Sequence, residues 1–139
     1  MKDLIHGYFT LEYNGDVLIA HNHGAWNEYT SQEMYRQLEV FIRNNPRKHW
    51  SYLADNRYWD MATPEGWEAL NPVYSLLVDE GMLALGMVCN TTLFKYMVDN
   101  MQANKDNPLP YGLFFSKDYD EILKWCSEQV KIHKLKQSS

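Results

Sequence analysis

The feature that most constrains the fold is a regular alternation of strand and helix patterns along the sequence. Two segments with alternating apolar residues flank Asn14 and Gly15, a pair that is favoured in two-residue hairpin turns. Downstream, helical and strand patterns follow one another at the spacing of βαβ units. The predicted order ββαβαβαβα indicates an α/β fold with a mixed, mostly parallel sheet, right-handed crossovers and four helices.

The predicted helices begin at residues that commonly cap helices. The first opens with Thr30 and Glu33 at capping-box spacing, and the second opens with Thr63 as its N-cap. Pro72 predicts a kink or a restart within the second helix, because proline cannot donate the backbone hydrogen bond. A third helix is predicted in "TTLFKYMVDNMQAN", and Ser116 is the expected cap of the last helix.

The later strands define an edge where a ligand is expected to bind. We predict that residues 17–20, 50–54, 83–88 and 113–115 pair in one sheet. Open α/β sheets bind ligands at the carboxyl ends of their parallel strands, where the following helices begin. The residues expected to end strands at this edge are His21, His23, Asp55, Asn90 and Ser116.

The composition indicates a single soluble domain over residues 1–139. The chain is 45% hydrophobic and 22% charged, with no apolar run of membrane-spanning length and no secretion signal, so we expect a cytoplasmic protein. A formal charge of -5 argues against a nucleic-acid-binding surface. Cys89 and Cys126 are expected to be reduced core thiols, and residues 130–139 a frayed tail.

The segment "ADNRYWDMATPEGW", residues 54–67, places carboxylates, an arginine and aromatic rings before a helix start. We predict a recognition loop there, because the first amides of a helix and the positive end of its dipole favour an anion. Core packing is favoured for Trp67, whereas Tyr58 and Trp59 suit either core or surface. The expected partner- or ligand-binding residues are Asp55, Arg57, Tyr58, Trp59, Asp60 and Thr63.

The sequence favours binding over catalysis. Asp55 and Asp60 are candidates for an acid/base pair, but no nucleophile with a base and an orienting group accompanies them. His21 and His23 would lie on one side of a strand, as two metal ligands need, yet a zinc site takes three or four ligands. The glycines form no dinucleotide- or phosphate-binding motif. We therefore expect no catalytic residue, no metal and no cofactor.

A family resemblance is carried by the element order, by "SYLADNRYWDM" before the second helix, and by "YGLFFSKDYDEILKWC" at the last strand and helix. Over about residues 7–129 these features resemble the SpoIIAA-like superfamily, which includes the STAS domains of anti-sigma factor antagonists and bacterial STAS-like proteins. The resemblance implies a non-enzymatic regulatory module that binds a protein partner through the strand edge and the loop before the second helix. A homodimer, in which the partner is a second copy of the chain, is among the expected assemblies.

The resemblance also implies a modification site. In the antagonist family an Asp-Ser-Ser-Gly motif follows this strand, and its serine, at the start of the next helix, is phosphorylated by a partner kinase. The matching segment here is "DMATPEG", in which Thr63 is the only hydroxyl and Asp60 lies three residues before it. The motif departs from the family's, but the position of Thr63 is that of the phosphorylated serine.

The alternative function is a carrier of a small apolar, lipid-like ligand. The resemblance extends to the general fold of lipid-transfer domains of the CRAL-TRIO type, which keep an apolar cavity between sheet and helices. The helical spacing of the methionines in this chain favours an ordinary core over a cavity lining. The methionines that could line a cavity are Met61, Met82, Met87, Met97 and Met101.

Overall fold

The described strands form one sheet that carries helices on both faces. The computed structural model describes residues 6–90 and 109–138. The predicted helix in "TTLFKYMVDNMQAN" lies outside them, and none of the described helices is both long and apolar enough to cross a membrane. The described elements are β1 Tyr8–Asn14, β2 Val17–Trp26, α1 Glu28–Asn44, β3 Trp50–Ala62, α2 Pro64–Asp79, β4 Met82–Val88, β5 Leu113–Ser116 and α3 Tyr119–Ser138.

The sheet has the strand order β1-β2-β3-β4-β5. Strand β1 is antiparallel to β2, and every later pair of neighbours is parallel. Asn14 pairs with Val17 across the hairpin, and Gly15 takes the positive φ of 59° that such a turn requires. The α/β class, the hairpin and the pairing of the predicted strands in one sheet are confirmed.

Each face of the sheet buries its own core. Along β2, Leu18 and Ala20 face helices α1 and α2, whereas Val17 and Ile19 face α3, because successive side chains of a strand point to opposite sides. All four side chains are at most 1% exposed. A strand that is buried on both faces has a continuous apolar sequence, as "VLIA" does.

Helix α3 packs closely on β4 at Gly86. A Cβ atom at this position would lie 2.5 Å from Cγ2 of Ile122 and 2.6 Å from Sγ of Cys126. The absence of a side chain is therefore what allows the helix to approach the strand. Cys126 and Cys89 are buried, as predicted, and form no disulfide bond among the described residues, and burial raises the pKa of Cys126 to about 12.

The predicted cap of the first helix is wrong. Helix α1 begins at Glu28, and the side chain of Asn27 accepts the backbone N–H of Thr30 at 3.1 Å. Thr30 lies inside the first turn, fully buried, and its hydroxyl group hydrogen-bonds to the backbone of His6. Asparagine caps helices at least as well as threonine. The helix therefore starts earlier than the capping-box pattern indicated. Thr30 instead holds the backbone of His6, just before β1, by hydrogen bonds.

The predicted cap of the last helix is also wrong. Oδ1 of Asp118 accepts the backbone N–H groups of Asp120 at 3.0 Å and Glu121 at 3.3 Å, so Asp118 is the cap of α3. Ser116 ends β5, and its hydroxyl accepts the N–H of Asp118 at 3.1 Å. Helix α3 continues to residue 138, with Val130 buried, through the region where we expected fraying.

The start of α2 is as predicted. Oγ1 of Thr63 accepts the backbone N–H of Gly66 at 3.1 Å, and Pro64 is the first helical residue. The helix runs as one element through Pro72 to Asp79, so the alternative of a restart is wrong.

Replacing Thr63 with alanine is expected to lower the free energy of unfolding by about 1 kcal/mol, because the N–H of Gly66 loses its acceptor. Denaturant unfolding measures the difference. Thr63→Ser keeps the oxygen and is the control, which should remain close to wild type. An alanine variant as stable as the serine variant would show that the cap contributes nothing.

Candidate functional site

The segment predicted to be a recognition loop is a strand. Strand β3 continues to Ala62 beside β2, so Asp55 and Asp60 lie inside it rather than at its end or in a loop. Strand β2 runs to Trp26, so His21 and His23 also lie within a strand. Pairing with the neighbouring strand supplies the backbone hydrogen bonds that a loop would have left to water. Thr63 alone separates β3 from α2.

Two irregularities in the pairing of β2 with β3 decide which side chains face solvent. The first lies between the pairs His21–Asp55 and His23–Tyr58, where β3 has one residue more than β2. An extra residue of this kind is a β-bulge, and it reverses the faces to which the following side chains point. Tyr58 therefore lies on the same face as Asp55, and Trp59 points to the opposite face.

The second irregularity contains a strained residue. Between the pairs Gly24–Trp59 and Trp26–Ala62, β3 again has one residue more. Within this bulge Met61 has a φ of 84°, which residues other than glycine rarely adopt. Such conformations cost about 1–3 kcal/mol and are concentrated at functional sites.

A polar network crosses the sheet on the α3 face, centred on Asp55. The carboxylate is 2% exposed, and Arg57 donates to both of its oxygens at 2.9 Å. Nδ1 of His21 lies 2.8 Å from the same carboxylate, and Nε2 lies 3.2 Å from Glu12 on β1. Burial alone would raise the pKa of Asp55, but the hydrogen bonds from Arg57 and His21 outweigh it and hold the pKa below its usual value. Asp55 is therefore an ionised anchor for its neighbours.

Beside this network lies an exposed aromatic row, formed by Tyr8, His23 and Tyr58 on three adjacent strands. The ring of His23 stacks on Tyr8 at 4.4 Å between centroids and on Tyr58 at 5.6 Å, with the planes within 5° of parallel. The rings stack because the three residues are direct partners across the strands. Tyr8 is 58% exposed and Tyr58 61%.

Arg57 connects the polar network to the aromatic row. Its guanidinium carbon lies 5.5 Å from the ring centre of Tyr58 and 4.5 Å from that of Tyr119, the first residue of α3. Both are cation–π distances. The hydrogen bond to Asp55 raises the pKa of Arg57, so the group remains a cation held between two rings.

The opposite face of the same strands forms a cavity of about 100 Å³ beneath helices α1 and α2. Trp59 is 8% exposed and makes edge contacts with Trp26 at 5.6 Å and with Trp67 at 5.4 Å. All three indoles line the cavity, together with Met34 and Met87. Trp67 thus packs against the core, as favoured, and Trp59 joins it there.

The six residues singled out in the sequence fall into three groups by exposure. Asp55 and Trp59 are buried, on opposite faces of β3, and Arg57 is one-third exposed. Tyr58, Asp60 and Thr63 are exposed. Glu12, Tyr8 and Tyr119 enter the site from β1 and α3 and were not predicted from the sequence. The alternation of β1, the strand paired with the histidine-bearing β2, was the signal for Glu12 and Tyr8.

Within the described residues, the histidines make hydrogen-bonding and stacking contacts and the methionines make core contacts. His21 is hydrogen-bonded and His23 is stacked, and across residues 6–90 and 109–138 no three His, Cys, Asp or Glu side chains are grouped as metal ligands. Met82 is buried in the core, and Met61 packs against it. Met97 and Met101 lie outside the described residues.

Comparisons with known proteins identify the fold. No protein-family model and no curated protein sequence matches the chain. An uncharacterized protein of the DUF3478 family with a SpoIIAA-like fold, from Shewanella loihica, aligns with a TM-score of 0.61 and 15% identity, over 88% of this chain and 95% of that one. The anti-sigma factor antagonist SpoIIAA in its unphosphorylated form aligns with a TM-score of 0.58 and 9% identity, over 86% of this chain and 97% of its own. The chain has a SpoIIAA-like fold.

Proposed function

We propose that the chain is a non-enzymatic regulatory module that binds a protein partner at the carboxyl edge of its parallel strands. The observation that carries this proposal is the exposed aromatic row beside Arg57. Two tyrosines that are more than half exposed are held in place by one stacked histidine. Tyrosine and arginine are enriched among the residues that dominate binding energy at protein interfaces.

The arrangement is suited to recognition because it is already ordered. A side chain that is held by its neighbours loses less conformational freedom on binding than a mobile one, and this loss costs about 0.5–1.5 kcal/mol per side chain. Asp55 and Trp59 hold this surface in position. Asp55 pairs with Arg57, and Trp59 packs in the core on the opposite face of β3. Asp60 and Thr63 extend the same edge toward α2.

The test is capture of a partner from a lysate of the native host with immobilised protein. Tyr58→Ala and Tyr8→Ala are each expected to reduce the captured partner about tenfold, which corresponds to roughly 1.4 kcal/mol for an interface residue of this kind. Leu135→Ala is the matched control, because Leu135 is 71% exposed but lies near the far end of α3. Equal capture by folded Tyr58→Ala and wild-type protein would remove the aromatic row from the proposal.

The proposal includes regulation through Thr63. The residue is exposed, and it lies at a helix N-terminus, where a phosphate is favoured by the first amides and the helix dipole. Phosphorylation would add close to two negative charges beside Asp60. Intact-mass analysis of protein from its own host detects the modification, and Thr63→Ala is the control that must abolish it.

A second candidate function, carriage of a small ligand, is favoured by the cavity lined by the three indoles. Its volume of about 100 Å³ is below the ~300–1,000 Å³ of pockets that hold drug-sized ligands. A lipid chain would not fit, so the candidate narrows to a small molecule. Native mass spectrometry of protein purified from its host would detect the bound species.

A further inference from the structure

The cavity beneath α1 and α2 is lined by residues whose polar atoms have no hydrogen-bond partner among the described residues. These atoms are Oδ1 of Asn22, Nε1 of Trp67 and the hydroxyl of Tyr74. Asn22 is 7% exposed and Tyr74 is 4% exposed. An unpaired buried polar group is costly and rare in folded proteins. Three of them around one cavity indicate a partner that occupies it.

The three atoms differ in the hydrogen bonds they offer. The amide oxygen of Asn22 accepts, the indole N–H of Trp67 donates, and the hydroxyl of Tyr74 does either. Asn22 is held in place because its amide nitrogen donates to Oδ1 of Asn56 at 2.7 Å. Burial raises the pKa of Tyr74, which keeps its hydroxyl group neutral and able to donate. One N–H or O–H donor next to a carbonyl oxygen would pair with all three, since a carbonyl oxygen has two lone pairs.

We propose that this cavity binds a small, uncharged molecule in which an amide-like donor and acceptor pair is part of one small ring or short branched chain. The volume of about 100 Å³ is smaller than the roughly 150 Å³ of a cavity that binds benzene, and this limits the whole ligand to about the size of one small ring. None of the described residues that line the cavity is charged, so a charged ligand would be buried without a counter-ion. The inference rests on the second candidate function and specifies its ligand.

The experiment uses pyrrolidone, a small-ring lactam with one N–H donor and one carbonyl acceptor, and cyclopentane, the ring without polar atoms. Heteronuclear NMR follows the tryptophan indole N–H signals, and Trp67→Phe identifies the signal of Trp67. Pyrrolidone is expected to shift that signal to saturation, and cyclopentane is expected to bind at least tenfold more weakly. Tyr74→Phe should weaken pyrrolidone binding about fivefold, the effect of losing one neutral hydrogen bond.

Tyr13→Phe is the matched control. The hydroxyl of Tyr13 also lacks a partner among the described residues, but the ring stacks on Phe41 away from the cavity. This variant should bind pyrrolidone as wild type does.

Without ligand, Tyr74→Phe should keep or raise the melting temperature, because it removes a buried hydroxyl that is unpaired. A marked decrease would overturn the proposal by showing that the hydroxyl has a structural partner.

Two outcomes distinguish a failure of this inference from a failure of the second candidate function. Equal binding of pyrrolidone and cyclopentane would overturn the polar recognition and leave small-ligand binding in place. An unshifted Trp67 signal with both probes would overturn the polar recognition and small-ligand binding together. Water would then be the occupant of the cavity. Neither result affects the protein-partner proposal, which is tested by capture at the aromatic row on the opposite face.

Discussion

Replacing Asp55 with alanine is expected to lower the free energy of unfolding by about 3 kcal/mol. The carboxylate is 2% exposed and pairs with Arg57 and His21. Its removal leaves a guanidinium and an imidazole without their partner. Breaking a fully buried ion pair costs about 3–5 kcal/mol, and the lower end applies because Arg57 is 34% exposed and partly screened by water. Denaturant unfolding at neutral pH measures the loss.

Asp60→Ala is the matched control, because Asp60 is an exposed carboxylate on the same strand. It should change the free energy of unfolding by no more than about 0.5 kcal/mol. If the Asp55 variant were as stable as this control, Asp55 would not anchor the network.

The same carboxylate makes stability depend on pH on the acid side. The pKa of Asp55 is held below its usual value of 3.8, since the hydrogen bonds from Arg57 and His21 outweigh the effect of burial. A folded-state pKa that is lower than the unfolded one gives stability that is fully present above the unfolded value. This stability is lost as the pH falls through the folded value. The difference in stability between wild type and Asp55→Asn should therefore shrink below about pH 4, as unfolding curves at a series of pH values would show.

Gly86→Ala is expected to lower the free energy of unfolding by about 2 kcal/mol, because the added methyl group would overlap with α3. The nearest atoms belong to Ile122 and Cys126, at 2.5 Å and 2.6 Å. Either α3 must move away from β4 or the side chains must leave their preferred rotamers. The backbone of Gly86 is not among the described glycines with positive φ, so the cost would come from packing alone. Denaturant unfolding measures it.

A double-mutant cycle identifies the origin of this cost. In a Cys126→Ala background one of the two overlapping atoms is absent, so Gly86→Ala should cost measurably less there than in wild type. Equal costs in the two backgrounds would contradict the proposed overlap with the thiol and leave Ile122 as the only contact responsible.

The sheet could be predicted because its buried strands have local signals. Residues 17–20 and 83–88 are apolar runs between turn signals, and Asn14-Gly15 specifies a hairpin on its own. The length of β3 had no such signal. After Ala54 the chain reads "DNRYWDMA", in which polar residues and two bulges remove the period-two pattern. What extends this strand is its pairing with β2, a contact between residues more than thirty positions apart.

The site was predictable only in part for the same reason. Asp55 and Arg57 are near neighbours in sequence, and their inclusion followed from their position after a buried strand. Glu12 and Tyr119 reach the network from β1 and α3, which no local pattern connects to it. The sides taken by Tyr58 and Trp59 depend on one extra residue, whose place in the strand is visible only in the register.

The extra residue in the first bulge also determines how this surface responds to mutation. A substitution at Tyr58 or Trp59 alters one ring and leaves the other where it is. Deleting one residue from the first bulge would remove the extra residue, so that β3 paired regularly with β2 and both rings kept their present faces. The first bulge is therefore a place where β3 can lose one residue without exposing the indole or burying the phenol.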